Sequence, residues 1–258
     1  MKVVIKVGTS TLAHATGRLN IRRTSALCRV ISDLKNEGYE VILVSSGAIG
    51  MGVGKLGLLE KPTDIPTKQA AAAIGQCELM YVYDKLFTDY SHTVAQILLT
   101  GSDFTSEERH ENFSNTMKRL LELNVLPIIN ENDTIATEEI KVGDNDTLSA
   151  LVAVSAGADL LVILSDVEGL YSADPHKDPS AHLIEEVHGV TDEVLKLAGG
   201  EGSALGTGGM RTKLRAAQIC NEDGCDLVIA NGETPELLYD IVGGKGKGYT
   251  RFYASAKK

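Results

Sequence analysis

The sequence has no tryptophan, and aromatic residues of any kind make up only 5% of its 258 positions. Stacking platforms for single-stranded nucleic acid are built from such side chains, so that class of partner is disfavoured. Positive charge is also scarce: 25 Lys and Arg stand against 35 Asp and Glu, for a formal net charge of −10. A chain of that sign repels nucleic acid and anionic membrane surfaces, although a small anion can still bind wherever local donors gather. No apolar run approaches the roughly 18 residues of a membrane span. The opening MKVVIKVGTS is interrupted too soon to be a signal peptide, so a cytoplasmic location is expected. The four cysteines, Cys28, Cys77, Cys220 and Cys225, have no CxxC spacing and no neighbouring histidine. Reduced, mostly buried thiols are the expectation. The six histidines are scattered, and none is assigned to chemistry.

What is present is an ordinary soluble composition, 43% hydrophobic and 23% charged, enough to bury a sizeable core. Apolar, β-branched runs at 3–7, 40–44, 93–98, 125–129, 160–164 and 227–230 predict buried strands. Amphipathic stretches at 22–37, 68–90, 106–124, 147–156 and 209–223 predict the helices between them. Strands apolar on both faces, alternating with helices, indicate a three-layer α/β/α sandwich around a mainly parallel sheet. Right-handed crossovers bring the carboxyl ends of such strands to one edge, where ligands bind. Residues 133–142 break the rhythm and suggest a small hairpin standing off the sheet. No internal repeat or linker divides the chain, and nothing beyond the glycine-rich turn at 243–248 reads as another domain.

Polar and glycine-rich residues cluster just after the strands. Lys6 stands in an otherwise apolar strand, which is costly unless its ammonium meets an anion. Gly8 after it lets backbone N–H groups approach phosphate oxygens. As a plain structural residue, Lys6 would instead snorkel to water from an edge strand. Ser46 and Gly47 end the second strand ahead of further glycines, a seat for a carboxylate or phosphate or simply a helix cap. The GVGKLG at 52–57 matches GxGxxG but lies past the strand-to-helix turn that a dinucleotide needs, so it is discounted. Asn130, Glu131, Asn132 and Asp133 follow the fourth strand, and Asp144, Asn145 and Asp146 precede a helix. Acidic groups so gathered repel one another unless an ammonium, Mg²⁺ or lysines join them; a solvated acidic loop is the bland alternative. Ser165 and Asp166 close the fifth strand, and Thr207-Gly208-Gly209-Met210-Arg211-Thr212-Lys213 opens a helix. That last stretch lacks the GxxxxGK[ST] spacing of a Walker A loop, yet glycines, Thr and Lys at a helix start suit a nucleotide's phosphates.

Together these stretches resemble the amino acid kinase family. KVGTS (6–10), SSGAIG (45–50), NENDT (130–134), GDNDTLSA (143–150), SDVEGLY (165–171) and TGGMRTK (207–213) fall in the family's order and spacing over nearly the whole chain. The resemblance implies a single kinase domain over 1–258, with an amino-acid lobe at about 1–155 and a nucleotide lobe at about 156–258. It narrows to members that phosphorylate the γ-carboxylate of L-glutamate with ATP and Mg²⁺, at the start of proline biosynthesis. By that likeness Lys6 and Gly8 go to phosphate, and Ser46, Gly47, Asp133 and Asn145 to glutamate. Ser165, Asp166 and residues 207–213 go to ATP. The family more usually has Thr where Ser165 stands, and the hydroxyl is kept. Longer members carry an additional PUA domain, for which this chain shows no counterpart.

Lys6 and Lys213 are expected to flank the transferring phosphoryl, held by Asp144 or Asp146. No general base is needed, because a γ-carboxylate is already ionised at neutral pH. The α-ammonium suits Asp133 and the Asn145 oxygen, and the α-carboxylate suits the Ser46 and Gly47 N–H groups. A free α-ammonium disfavours N-acetylglutamate, carbamate and UMP as substrates, whereas aspartate differs by one methylene only. A non-catalytic sensor of the same fold would need no phosphoryl clamp. The resemblance further implies a homodimer or homotetramer, and proline as feedback inhibitor, with the 135–142 hairpin as a place for that control.

Overall fold

The computed structural model describes residues 1–14, 18–60, 62–136, 144–175, 177–197 and 208–254. The first half of the chain runs β1 (Lys2–Val7), α1 (Thr9–Leu12), α2 (Ile21–Asn36), β2 (Glu40–Ser45), α3 (Ala48–Leu56), α4 (Ile65–Thr88), β3 (Val94–Leu99), α5 (Gly101–Thr105), α6 (Glu107–Glu122) and β4 (Leu126–Glu131). The second half adds α7 (Asn145–Ala156), β5 (Leu160–Ser165), β6 (Glu186–His188), α8 (Asp192–Leu197), α9 (Gly208–Glu222), β7 (Asp226–Asn231), α10 (Leu237–Val242) and β8 (Tyr249–Tyr253).

The strands form one sheet in the order β3-β4-β2-β1-β5-β7-β8-β6. Pairing is parallel except between β7 and β8, so β8 and its parallel neighbour β6 run against the rest. All six strands expected from the apolar runs are present, within one or two residues at each end. The two that pattern reading missed are β6, only three residues long, and β8, whose YTRFY carries too little aliphatic signal. β1 lies at the centre, with β2 on one side and β5 on the other. The chain therefore leaves β1 in both directions, which opens a crevice at the carboxyl ends beside it.

The two-residue period of a strand divides the core. Val3, Ile5 and Val7 of β1 face a cluster with Leu27 and Ile31 of α2 and Leu79 and Phe87 of α4. Val4 faces the opposite cluster, with Met117 of α6, Leu148 of α7 and Leu214 of α9. Lys6 shares the face of Val4, so its side chain runs toward α7 and α9. Three of the cysteines lie in the core and Cys77 is exposed; all four are free.

Helix α3 was invisible to propensity because AIGMGVGKL carries three glycines. Its packing explains them. A Cβ on Gly52 would lie 1.8 Å from the Ala71 carbonyl oxygen, and one on Gly75 of α4 would lie 1.7 Å from that of Ala48. α3 and α4 thus meet backbone to backbone, and the GxGxxG match is a helix interior ending in a left-handed Gly57 cap. Gly75→Ala is expected to cost about 3 kcal/mol, the upper end for overpacking, because the obstacle is main chain. Thermal unfolding checks this; a Tm equal to wild type would contradict so close a crossing. The hairpin expected over 133–142 lies mostly outside the described residues, of which 133–135 form a turn after β4.

Candidate functional site

The carboxyl ends of β1, β2, β4 and β5 meet the first turns of α7 and α9 at one edge of the sheet. Lys6 is only 8% exposed in the central strand, so the snorkelling alternative fails. Its Nζ lies 2.6 Å from Asp146 Oδ1. From the other side Lys213 Nζ approaches Asp146 Oδ2 at 3.1 Å, and Thr212 Oγ1 donates to the same oxygen at 2.9 Å. Lys213 also donates to the Gly209 carbonyl, at 3.2 Å. Two buried ammonium groups share one carboxylate, leaving one positive charge over, which suits an anion arriving at this edge. Burial alone would push the Asp146 carboxyl up; Lys6 and Lys213 outweigh it and hold it below the ordinary value.

Asp144 stands two residues away and does something different. It is the N-cap of α7, accepting from Thr147 N at 2.8 Å and Thr147 Oγ1 at 3.0 Å. Of the two acids expected to hold the lysines, Asp146 is the one in contact with them.

Between these acids Asn145 faces the other way, into a cleft of about 330 Å³. Its Nδ2 donates to Ser46 Oγ at 2.7 Å and to Asn130 Oδ1 at 3.0 Å, while its Oδ1 is buried with no hydrogen-bond partner among the described residues. Asp133, Thr9, Lys68 and residues 46–50 also line the cleft. Gly47 adopts φ 110°, which only glycine takes without strain, and turns the chain from β2 into α3. The Ser46 N–H donates to the Val7 carbonyl at 3.0 Å and closes the end of the β1–β2 pairing. The pair of backbone donors expected there therefore reduces to the Gly47 N–H, beside the Ser46 hydroxyl. Consecutive residues of one helix start, Asn145 and Asp146, thus join the cleft to the lysine pair.

Gly8 follows β1 as the N-cap of α1, and a Cβ there would come within 3.7 Å of Lys6 Nζ. Ser165 ends β5 and donates to Asp166 Oδ1 at 2.9 Å. Gly208, Gly209, Met210, Arg211, Thr212 and Lys213 are the opening turns of α9 rather than a loop, and Thr207 lies outside the described residues. That helix start lies at the same edge, and the first N–H groups of a helix suit an anion. Sequence reasoning missed Thr9, Lys68 and two buried residues of α4, Gln76 and Tyr83. Tyr83, its phenol raised by burial, shares a 2.8 Å hydrogen bond with Ser45 Oγ, next to Ser46. Both belong to the helical stretch predicted over 68–90, in which no residue was assigned a role.

A profile of the amino acid kinase family matches residues 1–231. A glutamate 5-kinase of Clostridium tetani is 54% identical over 246 residues, 95% of this chain and 92% of that protein. One from Clostridium perfringens is 51% identical over 257 residues, 98% of this chain and 95% of its own length. Among solved structures, a carbamate kinase from Giardia lamblia bound to AMP-PNP superposes with a TM-score of 0.71 at 18% identity, covering 98% of both chains.

Proposed function

Because the chain belongs to the amino acid kinase family, we propose that it transfers the γ-phosphoryl of ATP to the γ-carboxylate of L-glutamate, yielding L-glutamyl 5-phosphate and ADP. This is the first step of proline biosynthesis. Relatives about half identical over nearly the whole chain carry that activity in their names, and the Asn145–Asp146 junction carries the chemistry.

A γ-carboxylate oxygen attacks the γ-phosphorus, and the bond to the β,γ-bridging oxygen breaks, its electron pair leaving with ADP. The attacking group is ionised at neutral pH, so no residue takes a proton. Holding two anions together is the whole task. Lys6 and Lys213, kept apart by Asp146, meet the phosphoryl oxygens from either side. Asn145 Oδ1 and Asp133 accept from the α-ammonium, and Ser46 Oγ and the Gly47 N–H donate to the α-carboxylate. Gly8, Ser165, Asp166 and the opening of α9, with Thr207 before it, take the nucleotide. Residues up to about 155 form the amino-acid lobe and the remainder the nucleotide lobe. Among the described residues no group of three or more His, Cys, Asp or Glu could hold a metal, and both Asp146 oxygens are engaged by lysines. Mg²⁺ would arrive on the ATP phosphates and offset part of their charge. No helix among the described residues is long and apolar enough to cross a membrane. The reaction is placed in the cytoplasm, where ATP and glutamate are at hand, and a homodimer or homotetramer is its assembly.

Trapping acyl phosphate as the hydroxamate tests the activity. L-Glutamate with MgATP is expected to give hydroxamate, with kcat/KM for L-aspartate lower by about 10–200-fold, the worth of one methylene in a pocket. Proline added to the assay is expected to raise the glutamate KM as a competitor. Hydroxamate from another acid alone would reassign the cleft, and none from any acid would favour a sensor.

A further inference from the structure

Gln76 lies in the middle of α4 and is only 7% exposed, among alanine, glycine and leucine neighbours. A buried carboxamide needs partners, and this one has them. Asn130 Nδ2 donates to Gln76 Oε1 at 3.0 Å, and Gln76 Nε2 donates to Gln96 Oε1 at 3.4 Å.

The direction of this chain is fixed by main chain. The Glu131 N–H lies 2.9 Å from one amide atom of Asn130, and since a backbone N–H can only donate, that atom is the oxygen. Asn130 Nδ2 is thereby turned toward α4, where Gln76 Oε1 receives it. The same Asn130 oxygen accepts one hydrogen of Asn145 Nδ2 at 3.0 Å, and the other goes to Ser46 Oγ at 2.7 Å. With both hydrogens committed, Asn145 turns its Oδ1 to the cleft as a pure acceptor. Ser46, having accepted one bond, keeps its own hydroxyl hydrogen to donate.

We propose that Gln76 is a positioning residue for amino-acid specificity: it anchors the Asn130 amide, already oriented by the Glu131 N–H, in the place where its oxygen makes Asn145 present oxygen, rather than N–H, to an α-ammonium group. It touches no substrate and acts through Asn130. This rests on glutamate occupying the cleft. Without Gln76, Asn130 Nδ2 is left buried and unsatisfied, and the amide is drawn away from the place where its oxygen receives Asn145.

Gln76→Leu removes the acceptor at similar volume. The glutamate KM is expected to rise about 10–100-fold, the cost of an unsatisfied buried polar group, with the ATP KM little changed. The inhibition constant of glutarate, which lacks the ammonium, should move far less than the glutamate KM. Gln76→Glu keeps a carboxylate oxygen for Asn130 and should restore most of the loss. In an Asn130→Ala background Gln76→Leu should add nothing, because the relay is already cut. A lower Tm with unchanged glutamate KM, an equal shift for glutarate, or an undiminished effect in the Asn130→Ala background would each overturn the assignment. Should Gln76→Leu not fold, Gln76→Met reads the same quantities. Wild-type protein that makes no hydroxamate from glutamate would sink the reading beneath; active wild type with indifferent Gln76 variants would sink this inference alone.

Discussion

Replacing Lys6 or Lys213 by methionine is expected to lower kcat about 10²–10³-fold, the usual consequence of losing one preorganised donor at a transition state. The structure makes this test a clean one. When either lysine is removed, Asp146 keeps the other lysine and the Thr212 hydroxyl, so no buried charge is left alone. Folding should survive, and the loss should fall on turnover. Arginine at either position should not restore the rate, because a planar fork cannot take the place of a compact ammonium against one carboxylate oxygen. Turnover in the hydroxamate assay, with circular dichroism as the check on folding, measures both. A methionine variant within a few-fold of wild type would remove that lysine from the phosphoryl clamp.

The reverse substitution has a different signature. Asp146→Asn leaves two buried ammonium groups facing each other without a counter-charge, and breaking a buried pair from one side costs about 3–5 kcal/mol. A fall in Tm should therefore accompany the loss of activity. ATP should stabilise the variant more than the wild type, because its phosphates supply the missing negative charge. The pH dependence follows from the depressed carboxyl of Asp146. A group whose pKa is lower in the folded state contributes stability above its unfolded value and loses it as pH falls through the folded one. Wild type should thus lose stability below about pH 4, and Asp146→Asn should lose less over the same range. Parallel acid-unfolding curves for the two proteins would contradict the ion-pair assignment.

The parts of the site that were legible in sequence are those with a local cost. A lysine in an apolar strand demands an anion unless the strand lies at an edge, and Lys6 proved to be central, buried and paired. Serine and glycine at a strand end mark a turn, and Gly47 at φ 110° is that turn. Other features had no local mark. Ser46 N–H was expected to be free, but β1 and β2 pair far enough for Val7 to take it. The alanine-rich run around Gln76 reads as a small-residue helix, and nothing in it says that the one buried amide reaches β4.

The sequence by itself determined the α/β/α order, the mainly parallel sheet, the edge where the site lies and the families of side chain that meet there. These follow from short continuous apolar runs and from helical patterns with a period of about four residues, each readable within one element. Tertiary structure alone decided which partners meet. Lys213 reaches Asp146 across 67 residues and Asn145 reaches Ser46 across 99, contacts set by strand order and helix docking. It also decided between Asp144 and Asp146. Asp144 stands before the helix in extended backbone and turns its carboxylate back to cap α7, while Asp146 in the first turn faces the lysines. Which of them faced inward depended on where α7 lay against β1, and no local pattern carries that information.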